Sequence, residues 1–139
     1  MSDCKINNIE RFEWPIRVYY EDTDAGGVVY HSQYLNFLER TRTEWLRSAG
    51  LEQEALFAAT GARFVVTHMA VDFISPARLD DLLTVTVSIR RRRQASFELE
   101  QTIERDGARL IAATARIACV GEEFKPIRIP AQVLQQLFE

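Results

Sequence analysis

The chain has 139 residues, 47% of them hydrophobic and 27% charged, with a net charge of −3. One domain of ordinary soluble composition, spanning 1–139, is expected, and nothing in the charge balance points to nucleic acid. Two cysteines, Cys4 and Cys119, make no disulfide framework and no CxxC spacing, no apolar run approaches the length of a membrane span, and the N-terminus lacks the apolar stretch of a signal peptide, so the expectation is a cytoplasmic, reduced protein without membrane insertion.

Phe12, Trp14, Ile16, Val18 and Tyr20 alternate with Glu13, Arg17 and Tyr19, the period of a strand. The run DAGG at 24–27 ends it, because glycine reaches backbone conformations that other residues resist. From Ser32 to about Ser48 the period lengthens. Tyr34, Leu35, Phe37, Leu38, Thr41, Trp45 and Leu46 share a broad helical face, with Ser32 placed as its cap and Gly50 as its stop. LEQEALFAAT at 51–60 adds a short helix ended by Gly61.

The remainder reads mainly as strand. Val65, Thr67, Met69, Val71 and Phe73 mark one strand face, and SPARLDD at 75–81 is a connector. Val85, Val87 and Ile89 alternate with Thr84, Thr86, Ser88 and Arg90, and Phe97, Leu99 and Ile103 alternate with Glu98, Glu100 and Glu104. Asp106-Gly107 signals a hairpin, after which Ile111, Ala113, Ala115, Ile117 and Cys119 form an apolar row. Pro126 and Pro130 break the sheet, and AQVLQQLFE closes the chain as a short helix. Successive strands without crossover helices pair antiparallel. The expected class is α+β, a five-stranded antiparallel sheet wrapped around one long helix, which is the hotdog arrangement. Leu110, Ala112 and Ala118 fall on the face opposite Ile111, so the outer face is not uniformly polar and oligomerisation is expected.

Glu21, Asp22 and Asp24 crowd the strand–loop–helix junction YYEDTDAGGVVYHSQYL. Acids there can cap a helix or complement its dipole, and DxD is often only a polar turn. A calcium loop starting at Asp22 fails, because Gly26 and Gln33 stand where ligating oxygens are needed. A phosphatase-type DxD pair fails too, since Gly26 replaces the threonine and the alternating helices of a parallel α/β sheet are missing. Acyl transfer is the third reading. A carboxylate near a helix N-terminus can attack a thioester or deprotonate water, while the unpaired N–H groups stabilise the oxyanion. Thiolate leaves readily, so such a pair suffices, and Gly27 permits close approach.

The segment WPIRVYYEDTDAGGVVYHSQYLNFLERTRTEWLR resembles the active-site region of the 4-hydroxybenzoyl-CoA thioesterase superfamily, and within it the tol-pal system-associated acyl-CoA thioesterases. The likeness continues through FVVTHMAVDFISPARLDDLLTV and covers nearly the whole chain. It implies the hotdog fold, acyl-CoA hydrolysis, no metal and no cofactor beyond the coenzyme A of the substrate, and an aromatic lining from Tyr30, Tyr34 or Phe64 would suit a short aliphatic or an aryl acyl group. It also implies a homodimer or homotetramer with active sites at a subunit interface. By that resemblance Asp24 is the catalytic carboxylate, and the oxyanion-facing amide falls at His31 or its neighbour. The side chain of His31 either orients water or substrate or is only a polar helix start. Tyr30 is assigned to the acyl pocket, Asp22 to holding the loop, and Glu21 to solvent.

Two further candidates rank below Asp24. Glu39 lies about 12 Å along the helix from its start, although some other enzymes of this fold use a helix glutamate. His68 sits in an apolar strand and reads as a satisfied sheet histidine. The run Arg90-Arg91-Arg92-Arg93 is either a solvated hairpin tip or a grip on the phosphates of coenzyme A, as basic residues at this strand end are in related thioesterases. Strand alternation allows only some of them to contribute; Arg90, Arg91 and Arg92 are the candidates. Acyl carrier protein is an alternative carrier of the acyl group. A non-catalytic module that binds acyl groups or proteins on the same fold is the competing function.

Overall fold

The computed structural model describes residues 11–138, so Cys4 and Glu139 lie outside it. Five strands, β1 (Phe12–Arg17), β2 (Arg63–Phe73), β3 (Leu82–Arg92), β4 (Ser96–Arg105) and β5 (Ala108–Val120), form one antiparallel sheet in the order β1-β3-β4-β5-β2. The sheet is accompanied by α1 (Gln33–Ser48), α2 (Gln53–Thr60) and α3 (Ala131–Phe138). The antiparallel sheet is as expected. The longest helix is α1 at 16 residues, so the sheet is accompanied by more than one helix, and α2 and α3 fall where the two short helices were expected.

The inward face explains the packing. Ile16 pairs with Leu83, Val85 with Ile103, and Ile103 with Ile111, so paired apolar side chains point to the same side. Tyr34, Phe37 and Leu38 of α1 complete this half of the core, and Leu46 joins Val87, Phe97, Leu99, Ile117 and Cys119 in the other half. Each fully buried large side chain contributes about 1.5–3 kcal/mol of transfer free energy. Phe37 is fully buried between α1 and the sheet, and Phe37→Ala is expected to cost about 3–5 kcal/mol in denaturant unfolding. Burial pushes the Cys119 thiol up to about 11, so it stays protonated and unreactive at neutral pH.

Three β-bulges correct the period-two reading. Val66 pairs with Ile117 and His68 with Arg116, which leaves Thr67 as an extra residue. Phe64, Val66, Met69, Val71 and Phe73 therefore share the inward side, instead of the expected row through Val65 and Thr67. A second bulge leaves Leu110 unpaired between Ile103–Ile111 and Glu104–Arg109. It turns Leu110 into the core, 1% exposed, so Leu110 is not part of an apolar outer face. The third bulge lies at Arg90.

β1 and β2 are the sheet edges. β2 is an 11-residue edge strand with Val66 and Phe73 exposed, a ready template for pairing with another strand. Among the described residues, no helix is long and apolar enough to cross a membrane.

Candidate active site

The loop carrying Asp24 is a tight hairpin. Tyr30 N–H donates to the Asp22 carbonyl at 3.0 Å, Thr23 bridges Val29, and Asp24 N–H donates to the Val28 carbonyl at 2.9 Å. The reversal places Gly27 at φ +83°, where any side chain would be strained. Gly26 serves a different purpose. Its N–H donates to Asp24 Oδ1 at 2.8 Å, and a Cβ at this position would stand 3.3 Å from that same oxygen. Asp24 is exposed, and its Oδ2 accepts no hydrogen bond among the described residues.

Asp22 is its opposite, 4% exposed and engaged on both oxygens. Oδ2 accepts the Tyr19 N–H and Oδ1 accepts the Gln33 amide Nε2, each at 2.8 Å. One buried carboxylate therefore ties the exit of the strand to the first residue of α1. Glu21 faces solvent.

The connector 75–81 braces the other side. Val29 N–H donates to the Ala77 carbonyl at 2.9 Å, Val28 bridges Arg78, and Val18 exchanges backbone hydrogen bonds with Asp80 and Asp81. The turn is itself locked by Asp81, whose Oδ2 accepts the Arg78 N–H at 2.8 Å and the Arg105 guanidinium at 2.6 Å. Burial alone would raise the Asp81 pKa, but the Arg78 N–H and Arg105 outweigh it and hold the carboxyl below the usual range. A depressed carboxyl stabilises the fold above its unfolded value near pH 4 and loses that contribution as pH falls through the folded value. Asp81→Asn is therefore expected to lower stability by about 1 kcal/mol at neutral pH, a difference from wild type that shrinks below about pH 4 in acid titrations of the melting temperature.

At the start of α1, Gln33 N–H donates to the Tyr30 carbonyl at 2.8 Å and Leu35 N–H to the Ser32 carbonyl at 3.1 Å. Among the described residues, the backbone N–H groups of His31 and Ser32 donate to no protein oxygen. Ser32 occupies the capping position, yet its side chain caps nothing, because its backbone is already helical (φ −75°, ψ −17°) and its hydroxyl is not aimed at the first-turn amides. The exposed His31 ring lies 4.6 Å from the Tyr30 ring and edge-on to Phe73 at 6.5 Å. Tyr34, by contrast, is a core residue whose hydroxyl accepts the Ala77 N–H at 2.9 Å.

Asp24, Gly27, Tyr30 and His31 thus share one hairpin-to-helix unit. Arg90, Arg91 and Arg92 do not join it. The Asp24 loop packs beside the residues that lead into β3 at Leu82, whereas Arg92 ends that strand. Ten steps of about 3.3 Å put the two ends about 33 Å apart. The bulge also breaks the expected alternation among the arginines. Arg90 approaches Glu100 at 3.8 Å and Arg91 pairs with Glu98, while Arg92 turns inward over the Phe138 ring at 5.3 Å.

A second polar feature was not legible as a site. A cavity of about 110 Å³ between α1 and the sheet is lined by Glu39, Arg42, Trp45, Phe64, Phe97 and Leu99, among others. Arg42 donates to the Gln101 side-chain oxygen at 3.0 Å, and Gln101 in turn donates to the Leu38 carbonyl at 3.2 Å. Burial lowers the Arg42 pKa, partly offset by Glu39. The available signal was Gln101, a polar residue in phase with Phe97, Leu99 and Ile103. His68 is exposed on the outer side of β2, not satisfied within the sheet as expected.

The sequence model of the thioesterase superfamily matches residues 26–112. The chain is 45% identical over 123 residues to the acyl-CoA thioesterase YbgC of Haemophilus influenzae, covering 88% of this chain and 90% of that one. It is 44% identical over 131 residues to the acyl-CoA thioester hydrolase YbgC of Escherichia coli, covering 93% and 97%. Among solved structures, a probable thioesterase from Bartonella henselae superposes with a TM-score of 0.83 at 41% identity, covering 87% of this chain and 100% of that one.

Proposed function

Because the chain belongs to the thioesterase superfamily, we propose that it hydrolyses acyl-CoA thioesters to free acid and coenzyme A at the Asp24 loop. The observation that carries this reading is the unequal treatment of two neighbouring carboxylates. Asp22 is buried and fully bonded, while Asp24 is exposed and oriented by a single N–H from Gly26. In the general-base course, Asp24 takes a proton from water as the water oxygen bonds to the thioester carbon. The carbonyl oxygen becomes an oxyanion held by the N–H groups of His31 and Ser32, a stabilisation worth about 3–4 kcal/mol in comparable sites. Collapse of this intermediate breaks the C–S bond, and the proton held by Asp24 accompanies the departing thiolate. In the nucleophilic course Asp24 itself bonds to the carbon, expels the thiolate, and the resulting anhydride is hydrolysed. Tyr30 and Phe73 flank His31 and suit the acyl group, aliphatic or aryl.

The arginines enter this reading through a second copy. Antiparallel pairing of two β2 edges sets the Arg63 end of one strand beside the Phe73 end of the other. That brings the arginine end of one protomer to the Asp24 end of its partner. A homodimer so built could grip the coenzyme A phosphates in trans, with Arg90 and Arg91 on the outer side. Mixing Asp24→Asn protomers with protomers whose Arg90 and Arg91 are changed to Gln is then expected to restore about a quarter of wild-type activity, since one site in each mixed dimer is intact. No recovery on subunit exchange would place the arginines in the same chain as the Asp24 they serve, or outside the site.

Thiol release from a panel of aliphatic and aryl acyl-CoAs, run beside the matching acyl-carrier-protein thioesters, tests the activity itself. Turnover of acyl-CoA supports the assignment. A blank across the whole panel would leave the binding-module reading in its place.

A further inference from the structure

The Arg63 end of the sheet carries a groove that the hydrolytic reaction does not use. It has a volume of about 560 Å³, within the usual range of small-ligand sites. Its walls include Phe57 of α2, Arg63 and Phe64 of β2, and Phe124, with Gln53 and Glu54 of α2 as its other polar members. Three aromatic rings and one guanidinium thus meet in one surface hollow. The Arg63 guanidinium carbon already lies over Phe57, 3.7 Å from the ring centroid.

Phe124 is the most telling member. The residue is 69% exposed, although a phenylalanine gains nothing from water. It is held there by backbone that side chains disfavour, since Glu123 and Phe124 are successive non-glycine residues with φ of 58° and 57°. The turn is closed by Phe124 N–H to the Gly121 carbonyl at 3.1 Å and Gly121 N–H to the Lys125 carbonyl at 2.9 Å. The chain therefore raises an aromatic face beside the groove rather than folding it into the core.

The charges at this end favour an anion-bearing ring. Arg63, Lys125 and Arg128 lie here with the exposed Arg90, Arg91 and Arg93, against Glu54, Glu122 and Glu123 and the Glu100 and Glu98 that face Arg90 and Arg91. From these observations we infer that the Phe57–Arg63–Phe124 groove is a stacking subsite for a purine ring carrying phosphate, the adenosine end of a coenzyme A thioester. Bases stack on aromatic rings and on arginine planes whatever their edges display. The inference rests on the thioesterase reading and on β2 pairing, which puts the groove of one protomer at the same end of the dimer as the partner subunit's Asp24.

Two measurements separate this subsite from the activity. Phe124→Ala, a change at an exposed ring that opens no core, is expected to raise KM for acyl-CoA by about 5- to 100-fold. It should leave kcat, and the KM for the matching acyl-pantetheine thioester that lacks the nucleotide, within twofold. Phe124→Tyr, which keeps the ring, should restore the wild-type KM. An unchanged KM for acyl-CoA, or an equal rise for both thioesters, overturns the subsite while the hydrolase reading stands. Adenosine 3′,5′-bisphosphate binding, followed by calorimetry, needs no turnover. Binding by wild type that is lost in Phe124→Ala supports the subsite even if no thioester is cleaved. Absence of binding by wild type, or a variant changed only in oligomeric state, overturns it.

Discussion

Asp24→Asn is expected to lower kcat for acyl-CoA hydrolysis by about 10²- to 10⁴-fold while leaving the melting temperature within a degree or two. The substitution keeps the side-chain oxygen that accepts the Gly26 N–H at 2.8 Å, so the hairpin retains its shape. What it removes is the negative charge and the lone pair that take a proton or attack carbon. Substrate binding should change little, because the amide remains close in size and Asp24 is exposed, with no structural load beyond its own turn. Rapid-mix thiol detection together with thermal unfolding checks both halves of the expectation. Loss of stability in step with loss of rate would mean that Asp24 is a turn residue and that the chemistry lies elsewhere.

Asp22→Ala should behave differently, losing stability and activity together. The buried carboxylate satisfies the Tyr19 N–H and the Gln33 side-chain amide. Truncation strands both donors in a site with little access to water, at about 1–3 kcal/mol for each unsatisfied group. A net loss of about 2–3 kcal/mol is expected, or roughly 8–12 °C in Tm for a domain of this size. The rate should also fall, because Gln33 begins α1 and Asp22 fixes where that helix starts relative to the hairpin. Calorimetry and steady-state kinetics on the same preparation test the pair of effects. A stable but slow Asp22→Ala would move Asp22 from positioning into the chemistry.

This division between two aspartates shows where sequence reasoning stops. The 3.6-residue period from Tyr34 to Leu46 belongs to one segment alone, so α1 was legible with its Gly50 stop. The hairpin at Asp106-Gly107 was legible for the same reason. Bulges are not local in this sense. Thr67, Arg90 and Leu110 are extra residues only relative to the partner strand, and no single strand announces them. Their consequences fell on the site. The bulge at Arg90 set the directions of the arginines, and the length of β3 placed them far from Asp24. The spacing DTD could not rank its two acids either. Burial and hydrogen bonding separate them: Asp22 is held by the Tyr19 N–H and by Gln33, eleven residues on at the start of α1, while Asp24 takes only the Gly26 N–H.

The functional reading turns on where a thioester carbonyl sits. A structure of the Asp24→Asn protein with an uncleaved acyl-CoA bound would test that most directly. The carbonyl oxygen is expected within about 2.7–3.1 Å of the N–H of His31 or Ser32, and the residue-24 side chain close to the carbonyl carbon or to a water beside it. A thioester seated instead in the cavity beside Glu39 and Arg42, with the helix-start amides untouched, would contradict it.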